Sequence, residues 1–282
     1  TLFSKSVART LLAKIYAEKP LRDYTKVIQY CDEVKADGFD LVDDFSDLFG
    51  MNAAGTDAKM RNTKESILEA QFTSGAGNWC TWMFGRDLVN WNNNFTWAKW
   101  VTPSRDLISA FKQEGDEVRF KESIVYYDCN WSNYYPSDNY PFMYKCRSAN
   151  SSIIKYRYAD VLLLKAEALI MQDTPDLEGA ADIIDEVRDR AKLGALPTSV
   201  RSNKNVLLNA LLKERRLELA FEGQRWFDLV RLDKVEEVMN AVYSKDSGRK
   251  AQIYTFDKNS YRLPIPQSVI DANDKIHQNP GY

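Results

Sequence analysis

Hydrophobic positions in residues 1–40 recur every three to four residues, which predicts two amphipathic helices. The first helix covers residues 3–17 and ends at Lys19-Pro20, because proline cannot continue a helix. The second begins at Asp23-Tyr24 and stops at Gly38. Together they form a helix pair of about 34 residues, the size of a tetratricopeptide unit.

Two further helix pairs are predicted in the C-terminal half. Residues 156–192 carry a helical period that the segment 173–176 (DTPD) interrupts, and residues 205–241 carry another that hinges at Gly223. Each pair leaves an apolar face that only a neighbouring pair can cover. We therefore expect the pairs to pack against one another.

The middle of the chain lacks this helical period. Residues 73–102 have almost no periodicity, residues 65–72 fit a strand or a short helix, and Pro103 starts a predicted helix that reaches Phe111. Two strands, 123–131 and 141–147, flank the turn-forming Pro136-Ser137-Asp138-Asn139. The predicted fold class is thus mainly α, with helix pairs, an irregular aromatic-rich insertion and a small β-hairpin.

The register of this hairpin bears on two of the four cysteines. A turn centred on Ser137-Asp138 would place Cys129 opposite Cys146, close enough for a disulfide. Two buried free thiols are the alternative. No C-x-x-C pair occurs, which argues against zinc and thioredoxin-like chemistry.

Charge and composition exclude several classes of function. The 282 residues include 38 basic and 40 acidic side chains, so no basic excess exists to bind nucleic acid. No apolar run approaches the roughly 20 residues that span a bilayer. The single histidine, His277, gives no basis for a transition-metal site, and we expect no metal and no cofactor. The acidic run Asp40–Asp47 lacks the spacing of a calcium loop, so solvated loop charges are the expected interpretation.

Aromatic residues are concentrated where the helical period is lost. Six of the seven tryptophans lie between positions 79 and 131, and asparagines accompany them. Aromatic faces with fixed amide and carboxylate groups suit the flat C–H faces and hydroxyls of sugars. The predicted ligand-binding residues are Trp79, Trp82, Arg86, Asp87, Trp91, Asn92, Asn93, Asn94, Trp131 and Tyr134. The alternative is that the tryptophans pack an irregular loop onto the helices, which Trp97 and Trp100 fit best.

Catalytic interpretations are weaker. Arg215 falls on the apolar stripe of its helix and needs a partner. Candidate partners within reach of Arg215 and Arg225 are Glu218, Glu222 and Asp228. A structural ion-pair network is a better account of these residues than acid–base catalysis, because each carboxylate has an arginine nearby. A glycosidase would need two carboxylates across a cleft. Residues 114–117 resemble a solvated turn, and Asp87 and Asp128 alone do not define such a site, so no catalytic residue is predicted.

Several segments resemble one family. Residues 214–231 (ERRLELAFEGQRWFDLVR) resemble the hallmark of the SusD/RagB nutrient-binding lipoproteins of Bacteroidetes. Residues 157–168, Leu263–Pro266, residues 278–282 (QNPGY) and residues 39–49 (FDLVDDFSDLF) resemble other parts of the same family. Family members are longer at the N-terminus, where they carry a signal peptide and a lipidated cysteine. The resemblance therefore implies the C-terminal portion of such a protein.

The resemblance implies one SusD-like domain over residues 1–282, in which tetratricopeptide-like helix pairs present a ligand-binding insertion. Residues 1–49 would form the first helix pair, residues 50–150 the aromatic-rich insertion, and residues 151–282 the further pairs and tail. It also implies binding of an oligosaccharide or polysaccharide at the outer-membrane surface and delivery to a SusC-like TonB-dependent transporter, without catalysis. Membrane attachment would come only from a lipid anchor in the missing part. A peptide-binding member of the family and a protein-interaction scaffold remain alternatives.

Overall fold

Helices make up most of the regular structure that a computed structural model describes in residues 3–73, 77–78, 101–129, 132–246 and 255–282. The chain divides into two units, residues 1–225 and residues 226–282. The described residues of the first unit form the helices α1 (Lys5–Ala17), α2 (Tyr24–Ala36), α3 (Ser46–Phe49), α4 (Arg105–Glu114), α5 (Glu117–Ser123), α6 (Tyr158–Met171), α7 (Leu177–Arg190), α8 (Thr198–Arg201) and α9 (Lys204–Glu218). Helix α10 (Arg225–Arg231) begins at the boundary, and α11 (Val235–Lys245) and α12 (Gln267–Asp271) follow in the second unit.

The first two predicted helix pairs and the first helix of the third form a layered core in the first unit. Helix α1 packs on α2, α2 packs on α6, and α6 packs on both α7 and α9. Side chains of Ser4 and Asp23 accept hydrogen bonds from the first turns of α1 and α2, which fixes where both helices begin. Helix α6 is buried on nearly all sides, because it lies between the first helix pair and the later ones. The mainly α fold is confirmed.

Residues 65–72, for which the sequence left two alternatives, contain a strand. Strand β1 (Ser66–Ala70) pairs antiparallel with β4 (Ile153–Arg157) in a two-stranded sheet. The sequence predicted helix from residue 156 onward, but the helix begins at Tyr158. The β-branched pair Ile153-Ile154 suits the pleated ladder, and the strand ends where the buried Arg157 side chain enters the interior.

The predicted hairpin exists, with a different register. Strands β2 (Ile124–Tyr127) and β3 (Tyr140–Met143) pair so that Tyr127 lies opposite Tyr140. The backbone N–H of Cys129 therefore donates to Ser137 O at 2.6 Å, and Cys146 lies beyond the end of β3. Both cysteines are free, buried thiols, so the disulfide is absent and the alternative of two buried thiols is correct. Because Tyr127 and Tyr140 are partners, the midpoint of the hairpin lies at residues 133–134 and not at Ser137-Asp138.

In the second unit, the last residues of the chain pair with the proline-rich turn that precedes α12. The side-chain amide of Gln278 accepts from Ile265 N at 2.8 Å and donates to Ile265 O at 2.9 Å. Asn279 Nδ2 donates to Leu263 O at 2.7 Å, and the Tyr282 hydroxyl donates to Arg262 O at 3.1 Å. The two terminal motifs of the sequence thus form one structure.

Gly281→Ala is expected to destabilise this second unit by about 1–2 kcal/mol, the cost of a left-handed backbone for an L-residue. Gly281 has φ of +96°, and a Cβ there would lie 2.6 Å from Asn259 Cβ. Gly194→Ala is the matched control, because no atom lies within 4 Å of its Cβ position. Thermal unfolding of the two variants measures the difference, and equal effects would contradict the strain at Gly281.

Candidate functional site

Nine of the ten predicted ligand-binding residues lie outside the described part of the chain. These are Trp79, Trp82, Arg86, Asp87, Trp91, Asn92, Asn93, Asn94 and Trp131. Trp97 and Trp100 also lie outside it. The tenth, Tyr134, lies in the connection between β2 and β3, where it lines an open groove.

This groove, called here the tyrosine groove, has a volume of about 810 Å³. It is lined by Arg105, Ser132, Asn133, Tyr134, Tyr135, Pro136 and Ser137. Asn133 is exposed, and the rings of Tyr134 and Tyr135 are half-buried. The groove therefore offers aromatic surface and an accessible amide within a few residues of each other.

Arg105 orders the two rings. Ser104 caps α4 by accepting from Leu107 N, which places Arg105 at the first position of the helix. The Arg105 guanidinium lies 4.5 Å from the Tyr134 ring centroid and 4.2 Å from that of Tyr135, and it donates to the Tyr134 carbonyl. Cation–π contacts of this kind contribute about 0.5–2 kcal/mol each. Sequence reasoning missed Arg105, because nothing local signals that it stacks on residues 29 positions away.

Hydroxyl groups anchor the tyrosines behind the groove. Tyr135 Oη donates to Pro103 O at 2.7 Å, and its ring meets that of Tyr134 edge-on at 5.0 Å. The buried Tyr140 hydroxyl lies 3.2 Å from both Thr102 Oγ1 and Ser132 Oγ. Rings held in this way lose little conformational entropy when a ligand stacks on them.

A second polar feature of the first unit is a buried ion network centred on Glu218. Glu218 Oε1 accepts from Arg157 Nη1 at 2.5 Å and also from Arg190, and its Oε2 accepts from Arg119 Nη1 at 2.9 Å. Arg157 also bonds Glu222 through Nε at 2.7 Å. Arg119, Arg157, Arg190 and Glu218 are buried and belong to α5, β4, α7 and α9 in that order. The network therefore joins these four elements.

Comparison with known proteins connects this network to a family. The family model named SusD family matches residues 143–282, which contain Arg157, Arg190, Glu218 and Glu222. The chain belongs to the SusD family. The resemblance noted in residues 157–168, 214–231, 263–266 and 278–282 is thereby confirmed.

Relatives and solved structures agree with this assignment. SusD-like protein P38 of Formosa agariphila is 43% identical over 99 residues, which are 33% of this chain and 19% of that protein. A SusD homolog of Bacteroides thetaiotaomicron has a TM-score of 0.74 at 23% identity, covering 99% of this chain and 64% of the other. Surface glycan-binding protein A of the same species, in complex with laminarihexaose, has a TM-score of 0.72 at 19% identity, covering 97% and 63%. The chain spans less than two thirds of each of these proteins.

In the SusD-family hallmark segment, Arg215 has a partner that the sequence did not suggest. Arg215 bonds Asp160 Oδ1 at 2.7 Å, and Asp228 bonds Arg231 at 2.7 Å. Residues three apart share one face of a helix, but Glu218 accepts from Arg119, Arg157 and Arg190 instead of Arg215. The pairing of Arg215 with Glu218 or Glu222 is therefore wrong.

Charge partners set the protonation of this network. Burial opposes ionisation of Glu218, but Arg190, Arg157 and Arg119 outweigh it and hold the pKa of Glu218 well below its usual range. Burial also opposes ionisation of Glu222, and Arg157 and Lys145 lower its pKa. For Glu214, by contrast, burial prevails and raises the pKa. The low pKa values of Glu218 and Glu222 indicate permanent charges rather than proton-transfer groups.

Asp160→Asn is expected to lower the stability at pH 7 and to flatten its acid dependence. Burial opposes ionisation of Asp160, but Lys14 and Arg215 hold its pKa below the usual value of about 3.9. A carboxyl with a lowered folded-state pKa stabilises the fold above its unfolded pKa, and this contribution is lost as the pH falls below it. Urea unfolding at pH 7, 5, 4 and 3 measures the effect. An unchanged slope between pH 5 and 3 would contradict it.

The carboxylates considered for hydrolysis are not arranged as a catalytic pair in the described residues. Asp116, expected in a solvated turn, is buried, caps α5 and bonds Arg119 Nε at 2.6 Å. Glu114 bonds Arg188 at 2.6 Å and also Lys213. The interpretation of residues 114–117 as a solvated turn is wrong for Asp116, because the capping role draws it into the ion network.

The acidic loop that follows α2 is neutralised by lysines. Lys59 Nζ lies 3.1 Å from Asp44 and 2.7 Å from Asp47, and Lys64 Nζ lies 3.1 Å from Asp43. These contacts agree with the interpretation of this run as loop charges.

Among the described helices, none is both long and apolar enough to cross a membrane.

Proposed function

We propose that this chain is the part of a SusD-family protein that binds an oligosaccharide or polysaccharide at the cell surface, without catalysis. The observation that carries the proposal is the tyrosine groove, in which Arg105 and buried hydroxyl contacts hold the rings of Tyr134 and Tyr135 beside the exposed Asn133. Aromatic faces pack on sugar rings, and amides bond their hydroxyls. Binding of laminarihexaose by a protein of the same fold supports this ligand class.

The tryptophan-rich segment belongs to the same proposal. It joins the described chain at Asn78 and Val101, and Val101 is followed directly by Thr102 and Pro103, which contact Tyr140 and Tyr135. We therefore propose that Trp79, Trp82, Arg86, Asp87, Trp91, Asn92, Asn93, Asn94 and Trp131 extend the ligand site that Tyr134 begins. Residues 50–150 would then act as a ligand-binding insertion on the helix pairs.

The wider role follows from family membership. We propose that the full-length protein is lipid-anchored at the outer-membrane surface and passes its glycan to a SusC-like TonB-dependent transporter. The helix pairs of residues 1–49 and 151–282 would serve as the scaffold, and the transporter would be the protein partner. Neither role needs a cofactor or a metal.

Isothermal titration of the protein with a panel of neutral and acidic oligosaccharides tests the proposal. We expect saturable binding of at least one glycan, with the recovered glycan unchanged in length by chromatography. Shortened products would indicate hydrolysis. Saturable binding of unstructured peptides in the same assay, with no glycan bound, would favour a peptide ligand and contradict the proposal.

A further inference from the structure

The first unit contains a second cavity that shares no lining residue with the tyrosine groove. Its volume is about 700 Å³, within the range of about 300–1,000 Å³ typical of small-molecule sites. It lies between strand β4 and the segment that follows α9. The lining residues are Phe49, Leu68, Val101, Met143, Lys145, Cys146, Ser152, Ile153, Ile154, Lys155, Tyr156, Phe221, Glu222, Gly223 and Gln224.

The walls of this cavity are mainly apolar. Phe49 and Met143 are buried, whereas Leu68, Ile154 and Phe221 are only half-buried and keep part of their surface accessible. Covering apolar surface is worth about 25 cal/mol per Å². A ligand with an apolar body would therefore gain more here than a sugar, which needs many fixed hydrogen-bonding partners.

The described lining of this cavity has more basic than acidic side chains. Glu222 is the one carboxylate among the described lining residues, and it already accepts from Lys145 Nζ at 2.6 Å and Arg157 Nε at 2.7 Å. Lys155 is exposed, and no side-chain hydrogen bond or ion pair joins it to any described residue. The rim therefore presents a cation whose charge the described lining does not neutralise.

We infer that this cavity is a second ligand site, for an amphiphilic carboxylate. The aliphatic or aromatic body would cover Leu68, Ile154 and Phe221, and the carboxylate would remain at the rim beside Lys155. The inference does not rest on the proposed glycan site, because the two sites have separate lining residues.

Displacement of the fluorescent aromatic sulfonate 8-anilinonaphthalene-1-sulfonate tests the inference. We expect octanoate, kept below its micellar concentration, to displace the probe, octanol to do so more weakly, and acetate not at all. Lys155→Gln should weaken octanoate binding by about 1.5-fold to fivefold, the range of one exposed ion pair, and leave octanol binding unchanged. Lys121→Gln, at an exposed position of α5 outside the cavity, is the matched control.

Isoleucine-methyl NMR locates the bound octanoate without any variant. We expect the methyl signals of Ile153 and Ile154 to shift on titration, and that of Ile183 in α7 to stay in place. No octanoate binding, or shifts that leave Ile153 and Ile154 unaffected, would overturn the inference. Equal affinity for octanoate and octanol would overturn the assignment of a carboxylate to the rim.

Discussion

Glu218→Gln is expected to lower the free energy of unfolding by about 3–5 kcal/mol, the range found when one partner of a buried ion pair is removed. Glu218 is fully buried and accepts from Arg119, Arg157 and Arg190. Glutamine keeps the shape of the side chain but removes the charge that all three guanidinium groups share. Urea unfolding at pH 7, followed by circular dichroism, measures the loss.

Glu178→Gln provides the matched control for this substitution. Glu178 also pairs with an arginine, Arg201, but its side chain is 73% exposed. Exposed ion pairs contribute about 0–1 kcal/mol, because water competes for both charges. If the two variants lost similar stability, the buried network would not be the element that joins α5, β4, α7 and α9.

Tyr134→Ala is expected to weaken glycan binding by about tenfold to thirtyfold, which corresponds to about 1.4–2 kcal/mol. The substitution removes a half-buried ring from the tyrosine groove and leaves the ring of Tyr135 anchored through its hydroxyl. Thermal stability should change less than binding, since the Tyr134 ring is only half-buried and Tyr135 keeps its own contact with Arg105. Titration with the best glycan of the panel measures the effect.

Two further variants test whether a loss of binding in Tyr134→Ala comes from the tyrosine groove. Tyr127→Ala removes another aromatic side chain, 39% exposed, that does not line the groove, and we expect it to bind the glycan normally. Arg105→Gln removes the guanidinium that stacks on Tyr134 and Tyr135, and we expect it to weaken binding although the glycan stacks on the rings. Equal binding by wild type and Tyr134→Ala would exclude the tyrosine groove as the ligand site.

The helices were predictable from the sequence because their signals are local. Capping residues such as Ser4 and Asp23 and breakers such as Pro20 act within a turn of the helix end. Family membership was predictable for a similar reason, since residues 214–231 form one continuous motif.

Partners that lie far apart in sequence were not predictable. Arg215 pairs with Asp160, which is 55 positions away, and Arg105 stacks on tyrosines that belong to another element. The pairing of a buried charge depends on which helices meet, and the sequence gives only the requirement that a partner exists. The hairpin shows the same limit, because turn-forming residues at 136–139 predict a turn but do not decide which residues of the two strands become partners.

Hydrogen–deuterium exchange with and without a saturating glycan tests the central claim most directly, because it locates the ligand on the chain. We expect slower exchange in residues 101–110 and 128–140, which carry the tyrosine groove, and unchanged exchange in α7, which lies outside the groove lining. Glycan binding with protection elsewhere and none in residues 101–110 or 128–140 would contradict the account.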